Sequence, residues 1–581
     1  MKSAANSARV PAWFAPWAAE LSELYFSGST SVFVLHGNVN DLVCLNEDAS
    51  AFGTLPDFLA ELIFGRWDLV LYYDLARGLR AFAGRDADRL KAMVVEANKK
   101  VGDLAAARKD PATAFAMLDR FVQNNIMAGD DSLSAAILID HASFLVPNGE
   151  PGRLSPSAAQ QVVTLLNWAT SPHIKKLNMA TIVIDESAAA MSERLLSNPY
   201  VSDVELPMPG EVQRAGFLRN AVGGRDLAKA SDYSTADLAR LTAGISLVDL
   251  NVLVQSAFES EKRLDATRMR ELKKDLIERQ CRGLLEFIEP KWTLDSLVGH
   301  EPIKARLRED AQLLKAGATD SLPMGYLGCG PVGTGKTFLA QCMAGEMGVP
   351  CVLLKNFRSK YVGETEGNLQ RVLSVLRAMG PVVVVIDEAD AALGDRDQEG
   401  DSGTSSRVFS MIAAQMGDTR YRGKILWMLL TCRPDLLPID LKRQGRAEVH
   451  FPLFYPSEQE ELRQMFVAMA GKLGLKLSIE EVPEIRLAGK LSGADIEGIV
   501  TRAARRSLVN KELMGRAALE RELTGFLPSI EGLEKEMQEI AALLECTDLE
   551  FLSVPLRAQM SEPGARERLQ RRFLELRNNL R

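Results

Sequence analysis

The chain has 581 residues, of which 46% are hydrophobic, and its 69 Lys and Arg against 77 Asp and Glu leave a net charge of −8. At roughly 100–200 residues per domain, this length predicts several domains, and the apolar content excludes wholesale disorder. The acidic balance argues against a global nucleic-acid-binding surface, and the lack of an apolar run of ~18 residues argues against a membrane span. The seven cysteines contain no CxxC pair, which argues against a disulfide framework and favours a cytoplasmic location.

Residues 1–28 predict an N-terminal leader helix. Trp17, Leu21 and Tyr25 recur at helical spacing, and Pro16 suits the first turn of a helix. The pattern favours a helix that packs on its own domain over one that docks on another subunit.

Residues 29–207 alternate short apolar strands with helical stretches such as Leu90–Glu96 and Ser157–Trp168. This alternation predicts a parallel sheet that is covered by helices on both faces, and residues 208–262 then form a helical lid. The predicted strands are Ser31–His36, Leu69–Tyr73, Ala135–Asp140 and Ala180–Asp185.

A charged connector helix is predicted at residues 263–290, and a second strand–helix series follows at 291–455. Residues 456–518 predict a second helical lid, and residues 519–581 a charged helical tail. The strands predicted in the second series are Gly325–Leu327, Val349–Leu354, Val382–Asp387 and Lys424–Thr431.

The two halves of the chain contain an internal repeat. Leu241–Ala257 resembles Leu487–Ala503 at an offset of 246 residues, and the same offset, within one residue, aligns three further segments of the two halves. The sequence therefore predicts an α/β fold of two tandem modules with a C-terminal helical extension. Each module would have a parallel sheet with helices on both faces and a helical lid.

The segment Gly330–Thr337 has the sequence GPVGTGKT and lies between a predicted strand and the predicted helix Thr337–Met347. Such a loop turns backbone N–H groups and the helix N-terminus toward phosphates, while Lys336 neutralises charge and the Thr337 hydroxyl ligates Mg²⁺. The motif predicts ATP and Mg²⁺ as cofactors. The nucleotide-binding residues it identifies are Gly330, Pro331, Val332, Gly333, Thr334, Gly335, Lys336, Thr337 and Phe338.

Two acids, Asp387 and Glu388, end the apolar strand that begins at Val382. Carboxylates at the end of a strand buried on both faces are costly unless they have a role there. Asp387 is predicted to hold Mg²⁺, and Glu388 to accept a proton from the attacking water.

Residues 290–510 resemble the AAA ATPases of the Cdc48, proteasomal and membrane-protease type. Beside the phosphate loop, the resemblance is carried by Asp390, which completes a DEAD motif, by the TCRPD segment Thr431–Asp435, and by Arg443 and Arg446 in RQGR. It implies a homo-oligomeric ring, a hexamer, in which Arg443 and Arg446 are arginine fingers that reach a neighbouring subunit's nucleotide.

The same resemblance implies contacts on either side of the adenine base and a loop that grips a polypeptide in the central channel of the ring. The adenine contacts would be Val298 with Gly299 and Gly493 with Ala494. The pore loop would be Lys360, Tyr361, Val362 and Gly363.

Cys432 is a departure from the family, which has an asparagine at this position. A thiol is a poor hydrogen-bond partner, so Cys432 is expected to orient the attacking water less well than the amide. Slow, regulated hydrolysis follows as an expectation.

The first module is predicted to be degenerate. The 246-residue offset places its phosphate loop at Phe82–Arg89, which contains no Lys-Ser or Lys-Thr pair. The acidic pair becomes Asp140 and His141, and the finger positions fall near Ser197 and Tyr200, neither of which is cationic. We therefore expect no ATP hydrolysis in this half.

The tandem arrangement and the segment Gly400–Val408 (GDSGTSSRV) resemble the chloroplast hypothetical-reading-frame AAA proteins and their bacterial relatives. The leading hypothesis is an oligomeric motor that remodels a protein substrate. The alternative is a scaffold whose assembly is gated by nucleotide, with slow or incidental hydrolysis. A nucleic-acid substrate is disfavoured by the net charge and the type of pore loop, and a protease by the lack of HExxH.

Overall fold

The computed structural model describes most of the chain, which separates into two compact units. Unit 1 comprises residues 1–282 and 360–379, and unit 2 comprises residues 283–359 and 380–581. No helix within the described residues is both long and apolar enough to cross a membrane. The described residues are 10–105, 109–129, 133–149, 152–259, 263–355, 364–393, 404–528 and 532–580.

The main sheet of unit 1 has six strands in the order β5-β4-β6-β7-β1-β8. Its neighbours are parallel except at the edge, where β5 is antiparallel to β4, and β2 and β3 form a separate antiparallel pair. The strands are β1 (Val32–Gly37), β2 (Val43–Cys44), β3 (Phe52–Gly53), β4 (Leu69–Asp74), β5 (Gly78–Ala81), β6 (Ala135–Ile139), β7 (Met179–Ile184) and β8 (Val201–Leu206).

The sheet of unit 2 also has six strands, in the order β14-β10-β13-β12-β11-β9. Again one edge strand, β9, is antiparallel to its neighbour, and the other neighbours are parallel. The strands are β9 (Leu285–Ile288), β10 (Gly325–Cys329), β11 (Cys351–Leu354), β12 (Val382–Ile386), β13 (Ile425–Thr431) and β14 (Val449–Pro452).

The five parallel strands of the two sheets correspond one to one, and each sheet adds an antiparallel edge strand, which follows β4 along the chain in unit 1 but precedes β10 in unit 2. The order from β8 to β5 in unit 1 matches the order from β14 to β9 in unit 2, so that β1 corresponds to β10 and β6 to β12. This match confirms two copies of one α/β architecture. The strand Leu285–Ile288 lies within the predicted connector helix at residues 263–290. It is extended because its backbone pairs with Cys351–Leu354.

The α-helices cover the sheets and form the lids and the tail. Trp17 and Leu21 of the first helix are buried in the core of unit 1, as expected for a helix that packs on its own domain. The helices are α1 (Pro16–Ser27), α2 (Leu55–Phe58), α3 (Ala87–Lys100), α4 (Pro111–Ala128), α5 (Pro156–Thr170), α6 (Glu193–Leu196), α7 (Glu211–Val222), α8 (Leu227–Ala230), α9 (Thr235–Leu241), α10 (Leu247–Glu259), α11 (Ala266–Gln280), α12 (Glu301–Lys315), α13 (Lys336–Met347), α14 (Glu364–Met379), α15 (Ala389–Leu393), α16 (Thr404–Met416), α17 (Gln459–Lys472), α18 (Gly493–Asn510), α19 (Arg516–Thr524), α20 (Leu533–Glu545), α21 (Val554–Met560) and α22 (Ala565–Asn579).

Helix α14 belongs to unit 1, although the chain enters it from β11 and leaves it toward β12 of unit 2. Arg371 pairs with Glu186, which follows β7, and Arg377 Nη1 lies 2.9 Å from Glu205 Oε1 on β8. The carboxyl end of the unit 1 sheet therefore holds a helix whose flanking strands belong to the other unit.

Candidate nucleotide site

The phosphate loop of unit 2 connects β10 to α13 and requires glycine at two close approaches. Gly330 has φ +152°, and a Cβ atom there would lie 2.1 Å from the carbonyl oxygen of Leu453. At Gly333, with φ +82°, a Cβ atom would lie 2.8 Å from Cβ of Ser492 in the lid. Glycine at these positions allows the loop to fit between β14 and the lid.

Lys336 is buried, and its ammonium group is bound within the loop. Its Nζ donates to the carbonyl oxygens of Gly330 at 2.8 Å and Pro331 at 2.9 Å, and lies 3.3 Å from Sγ of Cys432. Burial raises the pKa of the Cys432 thiol, an effect that the Lys336 charge partly offsets. The residue that departs from the family thus contacts the lysine predicted to bind phosphate.

Thr337 and Asp387, the two predicted Mg²⁺ ligands, are in contact. The Thr337 hydroxyl donates to Oδ2 of Asp387 at 2.7 Å, and Oδ1 of Asp387 accepts the backbone N–H of Glu388 at 2.9 Å. A hydroxyl and a carboxylate supply the hard oxygen ligands that Mg²⁺ prefers, so these residues fit the ion.

Glu388 is exposed at the end of β12 and has a left-handed backbone with φ +47°. A glutamate with positive φ is uncommon, and such strained positions cluster at functional sites. The turn leaves the Glu388 carboxylate open to solvent beside the phosphate loop, as a proton acceptor for water requires.

A second pair of strand ends is linked by Asp390, which accepts a 2.6 Å hydrogen bond from the Thr431 hydroxyl. The same hydroxyl oxygen accepts the backbone N–H of Arg433 at 2.9 Å. The acidic motif after β12 and the loop after β13, which carries Cys432, are therefore held together. Sequence reasoning named both segments but did not predict this bond.

The lid contacts the phosphate loop directly. Gly493 donates its backbone N–H to the carbonyl oxygen of Gly333 at 3.0 Å, and Ala494 is exposed. The hydroxyl of Tyr455 donates to the carbonyl oxygen of Val332 at 2.6 Å. Tyr455 was missed by the sequence analysis because no motif there marks it.

The second predicted adenine segment is half-buried and faces another part of the lid. A Cβ atom on Gly299 would lie 1.9 Å from Oε1 of Glu461, so this carboxylate rests against the glycine, and burial raises the pKa of Glu461. Val298 precedes it, and the ring of Phe338 lies 6.3 Å from that of Trp292. Glu461 had no sequence signal, since it is one of several acids at the start of α17.

His300 follows Gly299 and has a left-handed backbone with φ +57° at the start of α12. Burial, together with the charge of Lys304, lowers the pKa of His300 from 6.5 to about 4. Between these values the unfolded chain binds a proton that the folded chain does not. The stabilising contribution of neutral His300 is complete above pH 6.5 and is lost as the pH falls toward 4.

Acidification from about pH 7.5 to about pH 5 is therefore expected to destabilise unit 2 through His300, by on the order of 1 kcal/mol. Urea denaturation at the two pH values measures the effect. A His300→Asn chain should lose less, because asparagine tolerates the left-handed backbone and does not titrate. Equal losses in the two chains would contradict the assignment to His300.

The two candidate arginine fingers lie on one turn before β14. Arg443 is exposed, and Arg446 donates from Nη1 to the carbonyl oxygen of Asp440 at 2.7 Å. Burial, together with the neighbouring Arg443 charge, lowers the pKa of Arg446. Among the described residues neither arginine bonds to the phosphate loop of its own chain. The predicted pore loop Lys360, Tyr361, Val362 and Gly363 lies outside the described residues, as do residues 400–403 of the GDSGTSSRV segment.

The counterpart of the phosphate loop in unit 1 is not Phe82–Arg89, as the constant offset predicted. Those residues follow the edge strand β5, whereas the strand that corresponds to β10 is β1. The offset fails because unit 1 has a longer segment between its first central strand and β6. The true counterpart begins at Gly37, with the sequence GNVNDLV, and it contains no lysine.

Asp41, within this loop, contacts the lid of unit 1. Its buried carboxylate accepts the backbone N–H groups of Leu247 at 2.9 Å and Val248 at 3.0 Å, at the N-terminus of lid helix α10, and the side-chain amide of Asn38 at 2.9 Å. An anion is favoured at a helix N-terminus. Burial raises the pKa of Asp41, and the hydrogen bonds that its carboxyl accepts oppose this shift, so the chain itself supplies a carboxyl acceptor at this helix N-terminus.

Replacing Asp41 by Ala is expected to destabilise the first lid by ~1–3 kcal/mol, because two backbone N–H groups lose their acceptor. Amide hydrogen exchange in Leu247–Glu259 should become faster. Asp41→Asn, which keeps an oxygen acceptor, is the matched control and should change exchange less. Unaltered exchange in the Asp41→Ala chain would contradict the role of this carboxylate.

The turn after β6 in unit 1 repeats the geometry of the Glu388 turn without its chemistry. His141 has φ +52°, and Oδ1 of Asp140 accepts its backbone N–H at 2.8 Å. Tyr72, on the neighbouring strand, donates its hydroxyl to Oδ2 of Asp140, where Thr337 serves in unit 2. In unit 1 the hydroxyl donor to this carboxylate is therefore a tyrosine on a neighbouring strand and not a threonine of the loop.

Comparison with known families agrees with this division of the chain. Residues 9–207 match the AAA+ chaperone N-terminal Rossmann-like domain, and residues 212–282 match the AAA+ chaperone second helical domain. Residues 326–455 match the ATPase family associated with various cellular activities. The last match contains the phosphate loop and the acidic strand end.

Curated relatives include Protein SAV of Sulfolobus acidocaldarius, 26% identical over 64% of this chain and 51% of its own. A Cell division cycle protein 48 homolog of Archaeoglobus fulgidus is 29% identical over 52% and 45%, and the AAA domain-containing protein ycf46 of Trieres chinensis is 28% identical over 50% and 59%. The chain spans about half the length of these relatives. It carries AAA+ chaperone-type domains in tandem and is a homologue of the Cdc48-like and ycf46 AAA proteins.

Proposed function

We propose that the chain hydrolyses Mg-ATP at a single site, in unit 2, as a subunit of a ring that remodels a protein substrate. The observation that carries the proposal is the 2.7 Å hydrogen bond between Thr337 and Asp387, with Lys336 in the same loop and Glu388 exposed beside it. Each of the four side chains matches a part of a phosphoryl-transfer site.

In the proposed reaction Glu388 accepts a proton from the water that attacks the γ-phosphorus, and the bond between that phosphorus and the leaving ADP oxygen breaks. Lys336 exchanges the carbonyl oxygens of Gly330 and Pro331 for phosphate oxygens. Thr337 and Asp387 would hold Mg²⁺, which neutralises charge on the phosphates when it is bound.

Phosphate release from ATP tests the proposal. Release by the full chain should require Mg²⁺ and fall to background in a Lys336→Ala chain, which loses the only side-chain cation of the loop. Binding of a fluorescent ATP analogue should weaken in parallel. Phosphate release that persists at the wild-type rate in Lys336→Ala would refute the assignment of the site.

The second part of the proposal concerns the oligomeric state. Arg443 is exposed and does not bond to its own phosphate loop among the described residues, which supports a role in a neighbour's site. A homo-hexamer, with one ATP site per subunit completed by Arg443 and Arg446 of the next subunit, is the arrangement we propose. A cytoplasmic location, predicted from the cysteine pattern, is part of the same proposal.

A nucleotide-gated scaffold is the second candidate, and the contact between Lys336 and Cys432 favours it. A thiol in this position orients water poorly, so binding without rapid turnover would suffice for assembly. Tyr361→Ala separates the candidates. A remodelling motor should lose substrate processing while its ring still assembles, whereas a scaffold should retain both properties.

A further inference from the structure

The C-terminal tail contacts the turn that carries the candidate fingers. Helix α20 ends at Glu545, whose carboxylate accepts the ammonium of Lys442 at 2.9 Å through Oε2 and lies 3.3 Å from Nδ1 of His450 through Oε1. The sequence places these two partners on either side of Arg443 and Arg446. One tail carboxylate therefore bonds to both ends of the segment that carries the two arginines, residues 442–450, the finger turn.

The site around Glu545 is largely shielded from water. The side chains of Glu545, Lys442 and His450 are 20%, 15% and 5% exposed. Burial raises the pKa of Glu545, but the hydrogen bonds from His450 and Lys442 outweigh it, so the pKa lies below its usual value. A shielded carboxylate with two donors fixes its partners more firmly than a surface ion pair does.

Both partners are also anchored to backbone. Nζ of Lys442 donates to the carbonyl oxygen of Pro434 at 3.0 Å, in the loop after β13, and Nε2 of His450 lies 2.8 Å from the carbonyl oxygen of Ala447. The backbone N–H of His450 is bound by the Thr547 hydroxyl at 2.9 Å, just beyond Glu545. These hydrogen bonds hold the finger turn in one position, and the tail supplies some of them.

We propose that Glu545 is a positioning residue for ATP hydrolysis, which holds the turn of Arg443 and Arg446 in the orientation that a neighbouring subunit's nucleotide requires. The inference rests on the proposed function, because it assumes that these arginines act in trans. It gives the tail a role that the sequence analysis did not assign.

Single-turnover hydrolysis of radiolabelled ATP by the full chain tests this inference. Glu545→Ala should lower the rate about tenfold and leave the Kd for ATP within twofold of wild type, since its own phosphate loop is intact. It should also lower the melting temperature, because Lys442 and His450 lose a shielded partner. Glu545→Gln, which keeps an acceptor for Lys442, should lose less. Glu536→Ala is the matched control, because it removes another tail ion pair, 2.8 Å from Arg572, without touching the finger turn.

A double-mutant cycle with Arg443→Ala identifies the route of the effect. If Glu545 acts through both arginines, Glu545→Ala should slow an Arg443→Ala chain by a smaller factor than it slows the wild type, because only Arg446 is left to misplace. This inference alone would be overturned if Glu545→Ala slowed the Arg443→Ala chain by the same factor as the wild type. It would also be overturned if the Glu545→Ala chain kept the wild-type rate while the Arg443→Ala chain was slow. An Arg443→Ala chain with the wild-type rate would overturn the finger assignment, and the positioning role with it.

Discussion

Replacing Glu388 by Gln is expected to lower ATP turnover by about 10²–10⁴-fold while ATP binding is retained, because a general base is lost and the phosphate loop is untouched. The substitution keeps the size of the side chain. It also keeps the backbone bond from the Glu388 N–H to Asp387, so the left-handed turn should persist. Steady-state phosphate release and equilibrium binding of ATP measure the two properties.

His141→Gln provides the matched control, since His141 occupies the corresponding turn of unit 1 with nearly the same backbone. It should leave turnover unchanged. A Glu388→Gln chain with wild-type turnover would exclude this carboxylate as the base and the motor function with it. If the prediction holds, the variant should retain its substrate while ATP is bound, and the protein that copurifies with it identifies the substrate.

Arg443→Ala should lower turnover by about 10³-fold, the lower end of the range for arginine fingers in GTPases, and leave the stability of the chain unchanged. The Arg443 side chain is exposed and has no hydrogen bond or ion pair among the described residues, so its removal should cost little stability. Arg446→Ala should reduce turnover as well. It should also reduce stability by ~1 kcal/mol, because its bond to the carbonyl of Asp440 is lost.

Thermal unfolding and phosphate release, measured on the same preparations, separate the two arginines. Arg420→Ala is a suitable control, because Arg420 is an exposed arginine of the same unit that pairs with Asp418. Its turnover should equal that of wild type. If Arg443→Ala and Arg420→Ala had equal turnover, Arg443 would have no role in hydrolysis. The proposal that two subunits share each active site would then lose its support.

The phosphate loop and the acidic strand end could be located from the sequence because each is a local motif whose function depends on short spacing. The predicted strands that precede Gly330 and Asp387 were confirmed, with their C-terminal ends shifted by one or two residues. Repeat detection also predicted the duplicated sheet. Its constant offset placed the loop of unit 1 wrongly at Phe82–Arg89, since an insertion before β6 changes the spacing without weakening the later matches.

Contacts between residues far apart in the chain could not be predicted from local patterns. The bond of Asp41 to the backbone of Leu247 spans more than 200 residues and uses no distinctive residue pair. The approach of Lys442 to Glu545 spans 103 residues, and either residue alone is typical of a solvated helix face. Such pairs are determined by how the elements pack, which neither motif spacing nor periodicity encodes.

The carboxylate of Asp41 has a thermodynamic consequence for the whole chain. A ligand that binds the native state adds stability in proportion to the logarithm of its concentration, about 2.7 kcal/mol at a hundredfold excess over Kd. An acceptor carried within the sequence is at a fixed effective concentration, so we expect the first lid to gain no stability from added ATP. The two units should therefore respond differently to the energy state of the cell, with the melting of unit 2 following ATP and that of unit 1 independent of it.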